Sequence, residues 1–334
     1  MSRSPLLDLA FGYMPAQMLH VAAEIGLADA LAGGPRSSTE LAKETGTHAP
    51  SLYRLLRALT GLGAVEQKER DLFALTAEGQ RLRADAPDSV QALIKLFCGP
   101  DVWRTWGDMT ETVRTGEYAW KRVTGKTSFE YFESNEELSE TFNEAMAEHT
   151  RAVAPGIVEA HDFGRYGTVA DLGGGDGTLL AAILRANPGL RGMLFDLPAG
   201  LDAASGALED VADRVEIVPG DFFDAVPGGA DAYILKSVIH DWHDDEAAAI
   251  LKNVRAATRP GARVLVLEQV MPEIVTPESR GVVHNDLNML VSTGGRERTE
   301  AEFRELLEGA GFTAVSLTGP LPPSGYHVIE AQPA

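Results

Sequence analysis

Cysteine is almost absent. Cys98 is the only one in 334 residues, which excludes an intrachain disulfide and a thiolate metal cluster and fits a reducing compartment. Long apolar runs are missing as well: no stretch reaches the roughly 18 consecutive apolar residues of a membrane-spanning helix, and "MSRSPLLDLAFGYMPAQ" at the amino terminus lacks the apolar core of a signal peptide. The expectation is a cytoplasmic protein with no membrane partner. Basic residues are scarce, 29 Lys and Arg against 49 Asp and Glu, for a formal net charge of -20. Nucleic acid is held by Lys and Arg neutralising phosphate, so it is not an expected partner. Repeats and low-complexity tracts are lacking too.

The length suits two domains, one to hold a cofactor and one to shape a pocket. The first hundred residues read as short helices, with apolar residues at helical spacing in "MPAQMLHVAAEIGLADAL" and a Ser/Thr cap ahead of a Glu in "PRSSTELAKETG". From Thr39 to Gly79 a helix, a turn, a helix and a two-strand wing follow one another, with the charged run Gln67 to Asp71 at the wing tip. This winged-helix pattern has two readings. Tyr53, Arg54 and Arg57 read DNA, or the helix is a platform for dimer contacts; the acidity of the chain favours the second. Between Ala92 and Ala154 the chain is helical and rich in large side chains, including Trp103, Trp106, Trp120, Phe129, Phe142 and Met146. Such residues build core or wall an apolar ligand pocket.

After Gly164 short apolar runs ending in Gly or Asp alternate with helical segments: "GTVADLG", "RGMLFDLP", "RVEIVPGD", "DAYILKSV" and "ARVLVLEQV". The fold class is α/β, a doubly wound, Rossmann-like parallel sheet, with two further strands in the tail. Ligands of such sheets sit at the carboxyl ends of the strands. In "VADLGGGDGTLLAAIL" the glycine loop matches the dinucleotide fingerprint imperfectly, because Thr178 stands where the last Gly or Ala belongs. Asp171, two residues before Gly173, suits a cation better than a pyrophosphate, and S-adenosylmethionine carries an ammonium and a sulfonium without a phosphate. Asp196 ends the second strand, placed for ribose hydroxyls; Asp221 follows the third, placed for an adenine amine, with Phe222 to cover the ring. Each acid alone reads as a turn or cap. Three at successive strand ends point to a nucleoside cofactor.

"HDWHDD", His240 to Asp245, packs two histidines and three aspartates into six residues. His240 and His243 are poorly spaced for zinc, so no metal is expected. Asp244 is a natural N-cap, with Asp245 and Glu246 in the first turn of the helix that follows. That leaves His240, beyond a strand end and facing the nucleoside region.

"LKSVIHDWHDDEAAAIL", "DLGGGDG", "FDLP", "PGDFFD", "GGRERT" and "FNEAM" together resemble the small-molecule O-methyltransferase family of plant caffeate and flavonoid, animal hydroxyindole and bacterial polyketide-tailoring enzymes, over nearly the whole chain. The resemblance implies a winged-helix dimerisation domain over 1–95, a helical linker and substrate-pocket segment over 96–155, an S-adenosylmethionine-binding catalytic domain over 156–334, and a homodimer. It implies His240 as catalytic base flanked by Glu268 and Glu297. By the resemblance Gly173, Asp196, Asp221, Phe222 and Lys236 become cofactor contacts, joined by Asp171 and Gly175 from the glycine loop itself, and Met146 and Met289 sandwich the ring of a small aromatic acceptor; Asn288 and, from the aromatic-rich helical segment, Trp103 are further candidate contacts to it. Two departures stand out: Phe222 replaces the Met usual in plant members, and the segment from Met289 to Glu297 is slightly shorter, so that the resemblance transfers no role to Asn285, Asn288, Ser292 and Thr293.

A free phenol, pKa ~10, lies about three to four units above a free imidazole near ~6.5, so proton loss concerted with methyl transfer avoids an uphill step. The alternatives are hydroxylation or decarboxylation on the same scaffold, a nicotinamide dehydrogenase, and a winged-helix regulator.

Overall fold

The computed structural model describes residues 4–334. Two compact units form: residues up to Arg104 with Glu137–His149, and Thr105–Glu136 with Thr150–Ala334. The helical stretch 96–155 is therefore shared between them.

In the first unit, Ser37 and Glu40 cap the helix Ser38–Thr45 reciprocally, the Glu40 N–H donating to Ser37 Oγ at 3.3 Å and the Ser37 N–H to Glu40 Oε2 at 2.9 Å. The helix Ala49–Gly61 follows and buries Leu52, Leu56 and Leu59, one face at helical spacing. Strands β1 (Val65–Glu69) and β2 (Leu72–Leu75) pair antiparallel as the wing. Tyr53 belongs to this framework, packing edge-on against Phe73 and donating its hydroxyl to the Arg70 carbonyl at 3.1 Å. Arg54 and Arg57 are exposed. Glu148, buried, ties the second segment in by accepting from Ser89 Oγ at 2.6 Å and the N–H groups of Ala92 and Leu93 at 3.1 and 2.9 Å.

The second unit is built on a seven-stranded sheet: β3 (Thr168–Leu172), β4 (Arg191–Asp196), β5 (Val215–Pro219), β6 (Ala232–Lys236), β7 (Arg263–Gln269), β8 (Phe312–Leu321) and β9 (Tyr326–Pro333), in the spatial order β5-β4-β3-β6-β7-β9-β8. The first five run parallel, and β9 enters antiparallel between β7 and β8. The short Pro- and Gly-bearing turn after β8 leaves no room for a parallel crossover, so the tail closes as a hairpin and the sheet is mixed at that edge. Strand order reverses between β3 and β6, opening a crevice at their carboxyl ends.

Alternation along the strands fills both faces. Val169, Ile234 and Leu265 pack with the helix Thr178–Ala186, whereas Ala170, Tyr233 and Val266 pack with the helices Asp244–Ala257 and Glu300–Gly309. The same period puts Asp171 and Lys236 on the first face and Glu268 on the second. Among the described residues no helix is long and apolar enough to cross a membrane.

Candidate active site

The glycine loop after β3 turns where side chains have no room. Gly173 has φ +68°, and a Cβ there would meet Val238 Cγ2 at 3.0 Å and Phe222 Cε1 at 3.6 Å; a Cβ on Gly174 would lie 2.5 Å from Leu194 Cδ1. Phe222 therefore borders the loop, as its sequence position anticipates. Beneath the loop Asp171 is buried, with Oδ2 lacking a hydrogen-bond partner. Burial pushes its pKa up to about 7, against the pull of the Lys236 ammonium, with Asp196 and Asp176 adding to the rise. Lys236, at the end of the adjacent β6, is held below the usual lysine range by burial, which the charges of Glu268, Asp171, Asp176 and Asp241 oppose.

Asp196 accepts from the Gly175 N–H at 2.8 Å and the Leu197 N–H at 2.6 Å, and Asp221 from the Phe223 N–H at 2.8 Å. Both acids thus order their own turns, as the cap reading supposes. Their position at successive strand ends beside the glycine loop also suits ligand binding.

Beyond β6 the chain makes an abrupt turn. Ser237 has φ +54°, uncommon for a residue with a side chain, and Val238 returns to φ -115°, ψ -49°. The alternation turns successive N–H groups inward as an anion-binding nest. Its anion is Glu268: Oε1 accepts from the N–H groups of Val238, Ile239 and His240 at 3.0, 2.9 and 3.3 Å. The other oxygen, Oε2, stands 3.3 Å from His240 Nδ1, and Glu297 Oε1 is 2.9 Å from the same nitrogen. Facing two carboxylates, Nδ1 carries hydrogen. Nε2 points away, with Asp241 Oδ1 at 3.9 Å.

His240, Glu268 and Glu297 are all buried. Burial disfavours the imidazolium, but the Glu268 charge, the Glu297 hydrogen bond and Asp241 outweigh it and push His240 up to about 10. The ordinary imidazole value used for the sequence is displaced to the level of a phenol. Glu268 is pushed up to about 7 by burial, against the imidazolium, and Asp241 to about 6.

The sequence misplaced one residue of "HDWHDD" and overlooked others nearby. Asp244 is the first helical residue rather than the cap: the helix spans Asp244–Ala257, His243 precedes it, and the Glu246 carboxylate accepts the His243 N–H at 3.3 Å. Asp244 instead meets the buried Arg298 guanidinium at 2.8 Å, because that cation needs a counter-charge. Arg298 also donates to the carbonyls of Ile239 and Trp242, both at 2.8 Å, bracketing His240. Asn285, on the helix Arg280–Ser292, donates its amide to Glu297 Oε1, while its neighbour Asp286 accepts the Glu297 N–H at 2.9 Å. No local pattern marks Arg298 or Asn285.

Met289 is buried on the same helix, and Asn288 accepts from Trp106 Nε1 at 3.2 Å. Trp103 is 40% exposed, and Met146 packs beside Ala92, Leu96 and Ala145; both belong to the first unit. Trp242 stacks on Phe129 at 5.4 Å and meets Phe222 and Phe223 edge-on, at 6.1 and 4.7 Å. An aromatic wall therefore runs from the glycine loop towards the His240 turn.

Two family profiles match the chain: an O-methyltransferase domain over residues 106–313 and an O-methyltransferase dimerisation domain over 7–85. The O-demethylpuromycin-O-methyltransferase of Streptomyces alboniger is 41% identical, covering 98% of this chain and 88% of its own. A phenazine O-methyltransferase of Lysobacter antibioticus is 40% identical, covering 99% and 96%. An O-methyltransferase from neocarzinostatin biosynthesis, solved with S-adenosylmethionine and 2-hydroxy-5-methyl naphthoic acid, superposes with a TM-score of 0.83 at 32% identity, covering all of both chains. The crevice fits that cofactor: a buried acid with one unpartnered oxygen suits a cation, and the glycines leave room that a Cβ would fill. The chain belongs to the S-adenosylmethionine-dependent O-methyltransferase family, with the family's dimerisation domain at its amino-terminal end.

Proposed function

We propose that the protein methylates an aromatic hydroxyl of a flat, polyketide-like secondary metabolite, with His240 as general base. The observation that carries this is the clamping of His240 Nδ1 between Glu297 and Glu268, at 2.9 and 3.3 Å, which leaves Nε2 as the acceptor. S-adenosylmethionine, when bound, supplies a methyl group on a sulfonium with a neutral leaving group. The protein's own residues must align the acceptor and take its proton. A phenol near ~10 is matched by an imidazole held at about 10, so the proton passes to Nε2 at little cost once the imidazole is neutral. The two carboxylates then stabilise the imidazolium that forms.

Asp171, Gly173, Gly175, Asp196, Asp221, Phe222 and Lys236 are assigned to the cofactor. Met289 and Asn288 are assigned to the acceptor; Met146 shares that role on the family resemblance, and Trp103 as one of the large side chains of the helical segment. The division 1–95, 96–155 and 156–334 is retained as the functional one, and the dimerisation domain supports a homodimer.

The test is mass spectrometry of phenolic probes, beginning with 2-hydroxy-5-methyl naphthoic acid, incubated with the enzyme and S-adenosylmethionine. A product heavier by one methyl is expected, and His240→Gln should lower turnover by about 100-fold or more while S-adenosylhomocysteine still binds. Undiminished turnover in that variant removes His240 from the mechanism. A product heavier by one oxygen replaces methyl transfer with hydroxylation, and activity lost to EDTA and restored by a divalent ion revives a metal.

A further inference from the structure

The Glu297 oxygen that faces His240 is not reserved for it. Oε1 accepts from His240 Nδ1 at 2.9 Å and also from the Asn285 side-chain amide, while the Asp286 carboxylate pins the Glu297 backbone N–H at 2.9 Å. Two successive residues of one helix thus hold Glu297, and one of them draws on the lone pairs that hold the imidazole. We propose that Asn285 is a positioning residue that shares the Glu297 carboxylate with His240 and so limits how tightly the imidazolium keeps its proton. This rests on the reading of His240 as the base.

The need for such a residue follows from the charges around the ring. Glu268 faces it from β7, Glu297 from the "GGRERT" segment and Asp241 from its own turn, while Asp286 stands behind Glu297. The cations are Lys236, at the end of β6, and Arg298, whose guanidinium donates to the carbonyls on either side of His240 rather than to the acids that clamp the ring. From β9, the Tyr326 hydroxyl shares a hydrogen bond with the Ser237 hydroxyl. Negative charge dominates: a base held at about 10 is neutral only about one time in a thousand at pH 7, so any further rise cuts the working fraction in proportion. A neutral amide donor on the shared oxygen moderates that charge without adding a cation. By donating to Glu297 Oε1 it weakens that oxygen as an acceptor for the imidazolium, which disfavours the charged ring.

The experiment is a titration of the full-length protein labelled with 13Cε1-histidine, with the His240 signal assigned by its absence in His240→Gln. In Asn285→Leu, which keeps the volume and removes the donor, the His240 midpoint is expected to rise by about half a unit to one unit. Turnover of the probe phenol at pH 7 is expected to fall about 3- to 10-fold and to recover as pH rises, with the KM for S-adenosylmethionine unchanged. A purely structural role lowers turnover equally at every pH. Should the leucine not fold, judged by S-adenosylhomocysteine binding, Asn285→Ala carries the same readout. A His240 midpoint that stays or falls in a folded variant overturns the proposal. A midpoint that rises while the pH profile of turnover stays in place upholds the shared carboxylate and removes His240 as the base.

Discussion

Glu268 shapes the turn before His240 and charges the His240 ring with the same carboxylate: one oxygen gathers three successive backbone N–H groups at 2.9 to 3.3 Å, and the other lies 3.3 Å from Nδ1. The two roles separate on substitution. Glu268→Gln keeps a carbonyl oxygen for the nest and loses the charge; Glu268→Ala loses both. Buried groups left unsatisfied cost about 1–3 kcal/mol each, so the alanine variant is expected to lose about 3 kcal/mol or more of stability in urea, against about 1 kcal/mol for glutamine. The His240 titration should drop towards the ordinary imidazole range in the glutamine variant. Equal destabilisation by both substitutions would show that the charge, rather than the acceptor oxygen, builds the turn.

Arg298 holds the same turn from outside. Its guanidinium bonds two carbonyls and the Asp244 carboxylate within 3.0 Å, a geometry that uses the planar fork of an arginine. Arg298→Lys keeps the charge but cannot reach all three acceptors, and each carbonyl left bare costs about 1–3 kcal/mol. The expected outcome is a lower urea midpoint and slower methyl transfer, with S-adenosylhomocysteine affinity little changed because the glycine loop lies elsewhere. Added guanidinium at millimolar concentration should restore part of the turnover in Arg298→Ala. Full activity in the lysine variant would mean that one donor suffices to hold the turn.

Much of this site was legible in the sequence because strand ends announce themselves. Asp171, Asp196 and Lys236 stand where apolar runs stop, and the period of two fixes which face each occupies. His240 emerged by elimination, and Glu268 and Glu297 through the family motifs. What could not be read was pairing over long separations. Asp244 looked like a helix cap because a cap is a local arrangement, but its partner Arg298 is 54 residues away. Asn285 reaches Glu297 only because a helix passes over the "GGRERT" segment, and the strand inserted between β7 and β8 depends on a hairpin whose partner strand no local pattern specifies. The pKa of His240 was unreadable for the same reason. It depends on two carboxylates brought in from distant segments.

The final prediction concerns protons. Asp171 and Glu268 are raised to about 7, Asp241 to about 6 and His240 to about 10. A raised folded-state pKa means that the folded protein binds more protons than the unfolded chain, so the stability these groups contribute is fully present below their unfolded values and is lost as pH rises through the folded ones. The cofactor-free enzyme is therefore expected to show falling urea midpoints from pH 6 to pH 9. A ligand carrying an ammonium favours ionised Asp171, so S-adenosylhomocysteine binding at pH 6 should release a proton, read by calorimetry in buffers of different ionisation enthalpy. Asp171→Asn should abolish that release, weaken binding, and leave the cofactor-free protein more stable than the wild type at pH 8, where the buried carboxylate is charged. If the variant releases as many protons as the wild type, the titrating group is not Asp171, and the buried carboxylate would have to be ionised before the cofactor arrives.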